Sequence, residues 1–315
     1  MSHIIAVNRP GDKGWIAPGS EEHTRMISPS KVAAILGESR WQSPFGLWME
    51  MTGRVEPDPP KDIYQVGHDF EPAIANRWLS NNPGWKLSPG EVQFVIDPEH
   101  FGFPAVATLD RRAVRGRARR IVQLKIARDL DDADTWGDDF SDPDSPCPAD
   151  YELQVFAEML FTGLTRLPGH LCAVGPFWTE KIYPIAYEKS AAAQMITEVR
   201  DFYASLKNNA PPDLDNTKAT YQTVRKMHPD IAAGTGIQID PDLARDYLTA
   251  IAAHKASETR LREMKTRIQA AMGDNESAFV GNVPIAKRAR HASGSVQLNS
   301  SRKTKPEDIT KGSAA

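Results

Sequence analysis

The chain has little cysteine, no long apolar run and almost no net charge. Its 315 residues carry a formal charge of −3 and include two cysteines, Cys147 and Cys172. Two cysteines without ligand-like spacing support neither a disulfide framework nor a zinc site, so we expect a reducing, cytoplasmic location. No run of about 18 apolar residues and no apolar signal core occur, so neither a membrane span nor export is indicated. A charge near zero excludes a uniformly basic protein, and any nucleic-acid contact must come from local basic stretches.

Hydrophobic periodicity predicts helices first and a sheet afterwards. Apolar residues recur at helical spacing in three early segments, at about 28–37, 44–52 and 67–80. Short β-branched runs between turn residues predict strands at 92–96, 105–109, 121–126, 171–174 and 181–185. Two later helices are predicted at about 150–163 and 188–207. Helices that flank a mixed central sheet indicate an α/β (α+β) fold.

Composition divides the chain into five segments. They are an extended lead-in (1–27), a core (28–207), a linker with some helix (208–239), a long helix with a small hairpin (240–300) and a disordered tail (301–315). The long amphipathic helix has too few sustained heptads for a coiled coil, so we expect it to pack on its own domain.

One set of polar residues has the spacing of a metal-dependent hydrolytic site. Asp110 closes a predicted strand, and Gln123 and Lys125 follow 13 and 15 residues later on the next one. Residues two apart on a strand point to the same face, and a turn can bring the two strand ends together. A strand-borne Asp followed by acid-x-Lys holds magnesium beside a phosphodiester in many nucleases, but position 123 carries an amide instead of an acid. Taken alone this pattern is weak, and an exposed hairpin with ordinary polar residues is the better interpretation of it.

The neighbouring segments strengthen the pattern. Glu71 lies at the start of an apolar-faced helix, and Tyr151 and Gln154 share one face of a later helix at i,i+3 spacing. Each residue alone fits an ordinary solvated position. Their common order along the chain favours a shared site.

Over about residues 22–205 the sequence resembles the YqaJ-like viral recombinases, relatives of phage lambda exonuclease among the PD-(D/E)xK nucleases. The resemblance is carried in order by residues 27–37 (ISPSKVAAILG), 44–48 (PFGLW), 52–53, 67–72 (GHDFEP), 110, 123–125, 148–154 and 162–164. It implies a restriction-endonuclease-like core with a mixed central sheet, followed here by the C-terminal helix and hairpin.

The resemblance also implies roles for individual residues. Asp110, Gln123 and the Leu124 carbonyl would ligate Mg²⁺, for which Mn²⁺ can substitute. Glu71 would occupy a second metal position or its outer shell, and Lys125 would orient the attacking water.

A second group would contact the DNA end. Tyr151 and Gln154 would hold the water network or the end itself, and Ser30 would meet a 5′-phosphate. An arginine usually joins Ser30 in this family; the aligned residue is His23, and we assign the role to Arg25 two residues away.

The implied activity is a Mg-dependent 5′–3′ exonuclease on double-stranded DNA ends. In phage-type recombination its single-stranded product passes to an annealing protein, and family members form homo-oligomeric rings. The implied location is the cytoplasm of a bacterial host.

Two departures from the family pattern bear on activity. Gln123 stands where the family has Glu, which removes one negative charge and should weaken magnesium binding. A catalytically weak or inactive DNA-end-binding protein is therefore the alternative, and a scaffold built around the 240–272 helix is a third. Arg111 follows Asp110 where Gly is common.

Six arginines fall within ten residues beside the predicted site: Arg111, Arg112, Arg115, Arg117, Arg119 and Arg120. Arginine binds phosphate bidentately, so we predict DNA-backbone contacts for Arg111 and Arg112. The acidic loop 129–144 lacks calcium-loop spacing and is expected to be solvated. Four tryptophans are expected in the core or as caps rather than as stacking platforms: Trp41, Trp48, Trp78 and Trp136.

Overall fold

The computed structural model describes residues 3–59, 62–130, 135–137, 147–290, 294–301 and 304–309. Its helices are α1 (Glu21–Arg25), α2 (Pro29–Ile35), α3 (Pro44–Met51), α4 (Asp62–Asn81), α5 (Pro98–Phe101), α6 (Ala149–Thr162), α7 (Lys189–Lys207), α8 (Lys218–Met227) and α9 (Pro241–Met272). Its strands are β1 (Ile4–Asn8), β2 (Lys86–Leu87), β3 (Val92–Ile96), β4 (Ala105–Leu109), β5 (Arg111–Arg115), β6 (Ala118–Ile126), β7 (Gly169–Val174), β8 (Glu180–Ile185), β9 (Ser277–Val280), β10 (Val283–Arg290) and β11 (Val296–Ser300). The chain forms two compact units, Met1–Ile231 and Ala232–Ala315.

The first unit is built around a mixed five-stranded sheet of order β2-β5-β6-β7-β8. Strands β6 and β7 run parallel, and the other neighbours are antiparallel. A smaller antiparallel sheet of order β1-β3-β4 lies in the same unit. This arrangement of helices and a mixed sheet confirms the predicted α/β class.

The two faces of β6 pack against different helices. Ile121 belongs to the apolar cluster that contains Val155 and Met159 of α6. Val122 belongs to a second cluster with Trp78 of α4. Because side chains alternate along a strand, residues 123 and 125 point to the α6 side, whereas Leu124 points to the α4 side.

The arginine-rich stretch is a strand, not a turn between two neighbouring strands. Residues 111–115 form β5, which turns at Gly116 and pairs with β6. The predicted three-strand order was therefore wrong: β4 and β6 lie in different sheets, and β5 intervenes. The sequence signal failed because β5 has little β-branched character. Its pairing is supported by packing, since the guanidinium carbons of Arg115 and Arg120 lie 4.8 and 5.3 Å from the Trp85 ring centre.

The N-terminal segment contributes more than an extended lead-in. Strand β1 pairs with β3, and the side chain of Gln93 accepts a hydrogen bond from Ile16 N (2.9 Å) and donates to Ile16 O (2.8 Å). The apolar run Ile4–Asn8 was not predicted as a strand, because the residues that follow it are polar and interrupted by Pro10, Gly11 and Gly14. The segment is thereby tied to the small sheet.

In the second unit, α9 begins after Asp240, whose carboxylate accepts hydrogen bonds from Asp242 N and Leu243 N. Instead of the expected hairpin, β11-β10-β9 form a three-stranded antiparallel sheet. Within this unit α9 contacts β9 and buries Met272, while its large apolar side chains Leu243, Tyr247, Ile251 and Leu261 are exposed. No helix in the described ranges is both long and apolar enough to span a membrane.

Parts of two predictions fall outside the described residues: most of the acidic loop (131–134 and 138–144) and the end of the tail (310–315). Within the tail, Pro306–Asp308 form a 3₁₀ turn.

Candidate active site

Asp110 occupies the corner between the two sheets of the first unit. It is the single residue between β4 and β5. Arg111 pairs with Val122, and that antiparallel register brings Asp110 opposite Gln123. The Asp110 carboxylate accepts a hydrogen bond from Leu124 N at 2.8 Å, which fixes its orientation against β6. The predicted proximity of Asp110 to the 123–125 strand is therefore present, although β5 produces it rather than a direct β4–β6 pairing.

Gln123 and Lys125 extend from β6 toward α6. Gln123 is only 2% exposed, and its Oε1 has no hydrogen-bond partner among the described residues. The Lys125 ammonium lies 5.1 Å from the ring centre of Tyr151, on the first turn of α6. A buried amide oxygen without a partner is unfavourable by about 1–3 kcal/mol. The structure thus holds a free oxygen acceptor beside Asp110.

Glu71 joins the site from α4 as part of an acidic group. Its carboxylate accepts from Arg111 Nη1 at 3.3 Å and lies 3.1 Å from His68 Nδ1. Burial and then the Asp110 charge raise the pKa of Glu71, and the same causes raise the pKa of Glu91, with Glu71 adding to the latter. Negative charge is therefore concentrated where a cation would be favourable.

Gln154 does not stand alone on α6. Its Nε2 donates to Glu158 Oε1 at 3.0 Å, one helical turn further on. Glu158 is 0% exposed, and its second oxygen, Oε2, has no hydrogen-bond partner within the described part of the chain. Burial and then the charge of Asp110 raise the pKa of Glu158 well above its usual value, while Lys125 opposes the shift. Glu158 thus acts electrostatically on two of the predicted site residues.

Two cations lie near the ring of Tyr151. The Arg40 guanidinium lies 5.0 Å from the ring centre, and the Lys125 ammonium lies 5.1 Å from it. Arg40 also forms a bidentate ion pair with Asp150, at 3.1 and 2.9 Å. Beside it, Trp41 is 71% exposed, so the expectation that this tryptophan lies in the core is wrong. The other three, Trp48, Trp78 and Trp136, are buried as predicted.

The predicted 5′-phosphate residues lie on α1 and α2. Ser30 is exposed, and its Oγ is 3.1 Å from Ser28 Oγ. Arg25 is exposed and pairs with Glu21 on its own helix. Within the described residues neither forms a bond with the group around Asp110, so their role stays a prediction.

The aligned residue His23 is neutral at pH 7, because burial and then the charge of Lys31 lower its pKa to about 4. The Lys31 ammonium donates to the carbonyls of His23, Thr24 and Met26 at 2.7–2.9 Å. Lys31 therefore closes the α1–α2 connection.

The two arginines predicted to contact DNA differ in their surroundings. Arg111 is 5% exposed and donates to Glu71 and to the Asp110 carbonyl, the latter at 2.5 Å. It is an internal counter-ion in this structure. Arg112 is half-buried, and its backbone N donates to Ser88 Oγ. Arg117 and Arg119, further along the hairpin, line a surface pocket with Arg166.

The donor set around Asp110 fits a hard divalent cation. Within the described ranges, no three His, Cys, Asp or Glu residues come close enough to form a metal cage by themselves. Magnesium does not require one, since it takes one or two carboxylates and completes its octahedron with other oxygens and water. The unpartnered Oε1 of Gln123 and the carboxylate of Asp110 supply such oxygens.

Sequence reasoning missed Glu158, Glu91 and Arg40. Glu158 lies in an apolar helical run that gave no reason to single it out, and Glu91 precedes a strand in a turn. Of the three, Arg40 could most easily have been predicted, because it follows the 27–37 segment of the family resemblance within a few residues.

Comparison with known proteins identifies part of the chain. Residues 20–165 match the family model of the YqaJ-like viral recombinase domain. A search of curated proteins found no match. Among solved structures, the alkaline exonuclease LHK-Exo from Laribacter hongkongensis is 18% identical with a TM-score of 0.44, covering 59% of this chain and 90% of that one. Its complex with dAMP gives 18% identity and a TM-score of 0.43 over 60% and 92% of the two chains. The structure of SSO0001 gives 9% identity and a TM-score of 0.36 over 67% and 88%. The prediction of a YqaJ-like viral recombinase domain is confirmed for this part of the chain.

Proposed function

We propose that this protein, which belongs to the YqaJ-like viral recombinase family through its residues 20–165, is a Mg²⁺-dependent 5′–3′ exonuclease on double-stranded DNA ends. The observation that supports it most is the contact of Asp110 with β6. Its carboxylate accepts from Leu124 N at 2.8 Å, between the two residues of the Gln-x-Lys pair. A carboxylate and a free amide oxygen then lie together at β6, the strand that also carries Lys125.

In this proposal, Asp110, the Gln123 amide oxygen and the Leu124 carbonyl would hold Mg²⁺ or Mn²⁺. A cation held there would supply polarisation of the phosphodiester and a lowered pKa for an attacking water. Lys125, held near the Tyr151 ring, orients that water or the scissile phosphate. Glu71 lies in a second metal position or its outer shell.

The DNA contacts are assigned to residues around this group of side chains. Tyr151 and Gln154 would contact the DNA end from α6, and Ser30 with Arg25 would receive the 5′-phosphate. Arg112 would meet the backbone. A homo-oligomeric ring, an annealing-protein partner and the cytoplasm of a bacterial host complete the proposal, on the basis of the family resemblance.

The direct test is digestion of linear duplex DNA that carries a 5′-phosphate on one strand only. With Mg²⁺ we expect loss of the phosphorylated strand from its 5′ end. Asp110→Asn keeps an oxygen for Leu124 N but removes the charge, and should abolish digestion. Asp201→Asn, on the exposed surface of α7, is the matched control and should digest normally. Digestion that is unchanged in Asp110→Asn would refute the assignment.

The neutral amide at position 123 favours one alternative, a protein that binds DNA ends without cutting them. It predicts tight binding of duplex ends and no digestion in Mg²⁺ or Mn²⁺. Digestion by Gln123→Glu alone would identify this side chain as the cause. Failure of both proteins to digest would exclude the exonuclease.

A further inference from the structure

We propose that Glu158 supplies, from α6, the second carboxylate of the metal site, in place of the acid that is missing at position 123. The inference rests on the proposed function, because it assumes that a cation binds beside Asp110. It adds a ligand that neither the spacing on β6 nor the family motif assigns.

The position of Glu158 is unfavourable for a merely structural residue. The side chain is fully buried, and its helical neighbours Phe156, Ala157, Met159 and Leu160 are buried as well. Among the described residues, no Lys, Arg or His lies within ion-pair distance of it. A carboxylate in such surroundings is unfavourable by several kcal/mol unless it is paired or binds a metal. An apolar residue would fill the site at lower free energy, so the acid requires a reason.

Two unpartnered oxygens are left on facing elements. Glu158 Oε2 and Gln123 Oε1 both lack a hydrogen-bond partner in the described part of the chain. Position 123 points to the α6 face of the sheet, as Ile121 does, and Ile121 shares an apolar cluster with Val155 and Met159 of α6. An ionised carboxylate and an amide oxygen are both acceptors, so they cannot satisfy each other. A cation satisfies both at once.

The first oxygen of Glu158 is already oriented. Gln154 donates to Oε1 at 3.0 Å and thereby holds the carboxylate with Oε2 free. Metal-ligating carboxylates are commonly held by such an outer hydrogen bond. This gives Gln154 a positioning role that follows from geometry.

The charge balance of the site supports the same conclusion. With Gln at position 123, Asp110 would be the single carboxylate in the Asp/Gln/Lys set. Glu158 restores a second negative charge without changing the strand. The proposed set is then two carboxylates, one amide oxygen and one carbonyl, and water completes it, which suits magnesium.

The test measures Mn²⁺ binding without DNA, by the loss of free-ion electron paramagnetic resonance signal and by titration calorimetry on the full chain. Glu158→Gln preserves shape and an acceptor for Gln154 but removes the charge. We expect its Mn²⁺ affinity to fall at least about tenfold, a loss that even outer-shell changes produce. Glu152→Gln, on the exposed side of the same helix, should bind as the wild type does.

A second arm moves the charge back to the strand. Adding Gln123→Glu to Glu158→Gln should restore Mn²⁺ affinity, because the number of carboxylates is again two. Mn²⁺ should raise the melting temperature of the wild type and of this double variant. It should raise the melting temperature of Glu158→Gln much less. A purely structural Glu158 predicts folding changes without this metal-specific pattern.

The outcomes separate the two proposals. Equal Mn²⁺ affinity in wild type and Glu158→Gln, or no Mn²⁺ binding by the folded wild type, would overturn the role of Glu158. If Glu158-dependent Mn²⁺ binding occurs but the wild type digests no DNA, the exonuclease proposal fails while the ligand assignment stands. If the wild type digests DNA normally but its Mn²⁺ affinity does not depend on Glu158, the ligand assignment fails while the exonuclease proposal stands.

Discussion

Replacing Arg111 by Met should destabilise the protein more than it weakens DNA binding. The Arg111 side chain is buried and pairs with Glu71 at 3.3 Å. Methionine keeps much of the apolar stem and removes the charge and the donors. Glu71 would then face the charge of Asp110 without its guanidinium partner.

The magnitude follows from burial. Removing one partner of a buried ion pair costs about 3–5 kcal/mol. The Glu71 side chain retains 16% exposure and a contact with His68, so the lower end applies. We therefore expect a loss of about 3 kcal/mol in the free energy of unfolding at pH 7. Adding Glu71→Gln should recover roughly 2 kcal/mol of it, since the uncompensated charge is gone.

Urea denaturation of the wild type, both single variants and the double variant measures these terms as a double-mutant cycle. The pH dependence gives an independent check. The pKa of Glu71 is raised in the folded state, and removing Arg111 raises it further, because Arg111 is one of the groups that lower it. A carboxyl group whose pKa is raised by folding contributes to the free energy of unfolding at pH values below its pKa in the unfolded chain. That contribution is lost as the pH rises through its pKa in the folded state. The gap between variant and wild type should therefore be smallest near pH 4 and grow toward pH 7. A loss below about 0.5 kcal/mol, or a fall in DNA affinity without destabilisation, would refute the counter-ion role.

Three further outcomes are expected. Trp41→Ala should weaken binding to frayed DNA ends about tenfold, since base stacking on an exposed aromatic contributes about 1–3 kcal/mol, and quenching of its fluorescence by DNA checks this. Arg119→Ala should lower the slope of log affinity against log salt by about one if this pocket-lining arginine meets a phosphate, and fluorescence anisotropy across a salt series tests it. Lys31→Met should cost about 2–3 kcal/mol in urea unfolding, because three carbonyls lose their charged donor; a change within 0.5 kcal/mol would contradict that clamp.

The elements with strong periodicity could be predicted from the sequence. Strands β3, β4 and β6 and the long helix α9 have clear apolar patterns, and the structure contains them within a few residues of the expected bounds. The proximity of Asp110 to the 123–125 stretch was also expected from spacing, although β5 rather than a direct β4–β6 pairing produces it. Strand β5 could not be predicted, because arginine stems that pack on Trp85 replace the β-branched residues that usually mark a strand.

The residues that make up the candidate site were harder to predict from the sequence than its location. Motif reasoning draws attention to polar residues in polar or turn-rich surroundings. Glu158 lies between the apolar residues Ala157 and Met159 of the predicted 150–163 helix, so only its burial and its unpartnered oxygen single it out. Arg111 was the opposite case. The arginine run 111–120 indicated a solvent-exposed face, but its first arginine, Arg111, is buried.

The corner at Asp110 explains why a site forms at this place. A residue in the middle of a strand is oriented by one sheet, whereas Asp110 joins β4 of one sheet to β5 of another. Its carboxylate is therefore directed along β6, where Leu124 N holds it. Residue 123 lies opposite and faces α6, so an acid that compensates on this face for the neutral amide would come from that helix. The buried acid Glu158 lies on α6, whereas Glu71 approaches Asp110 from α4.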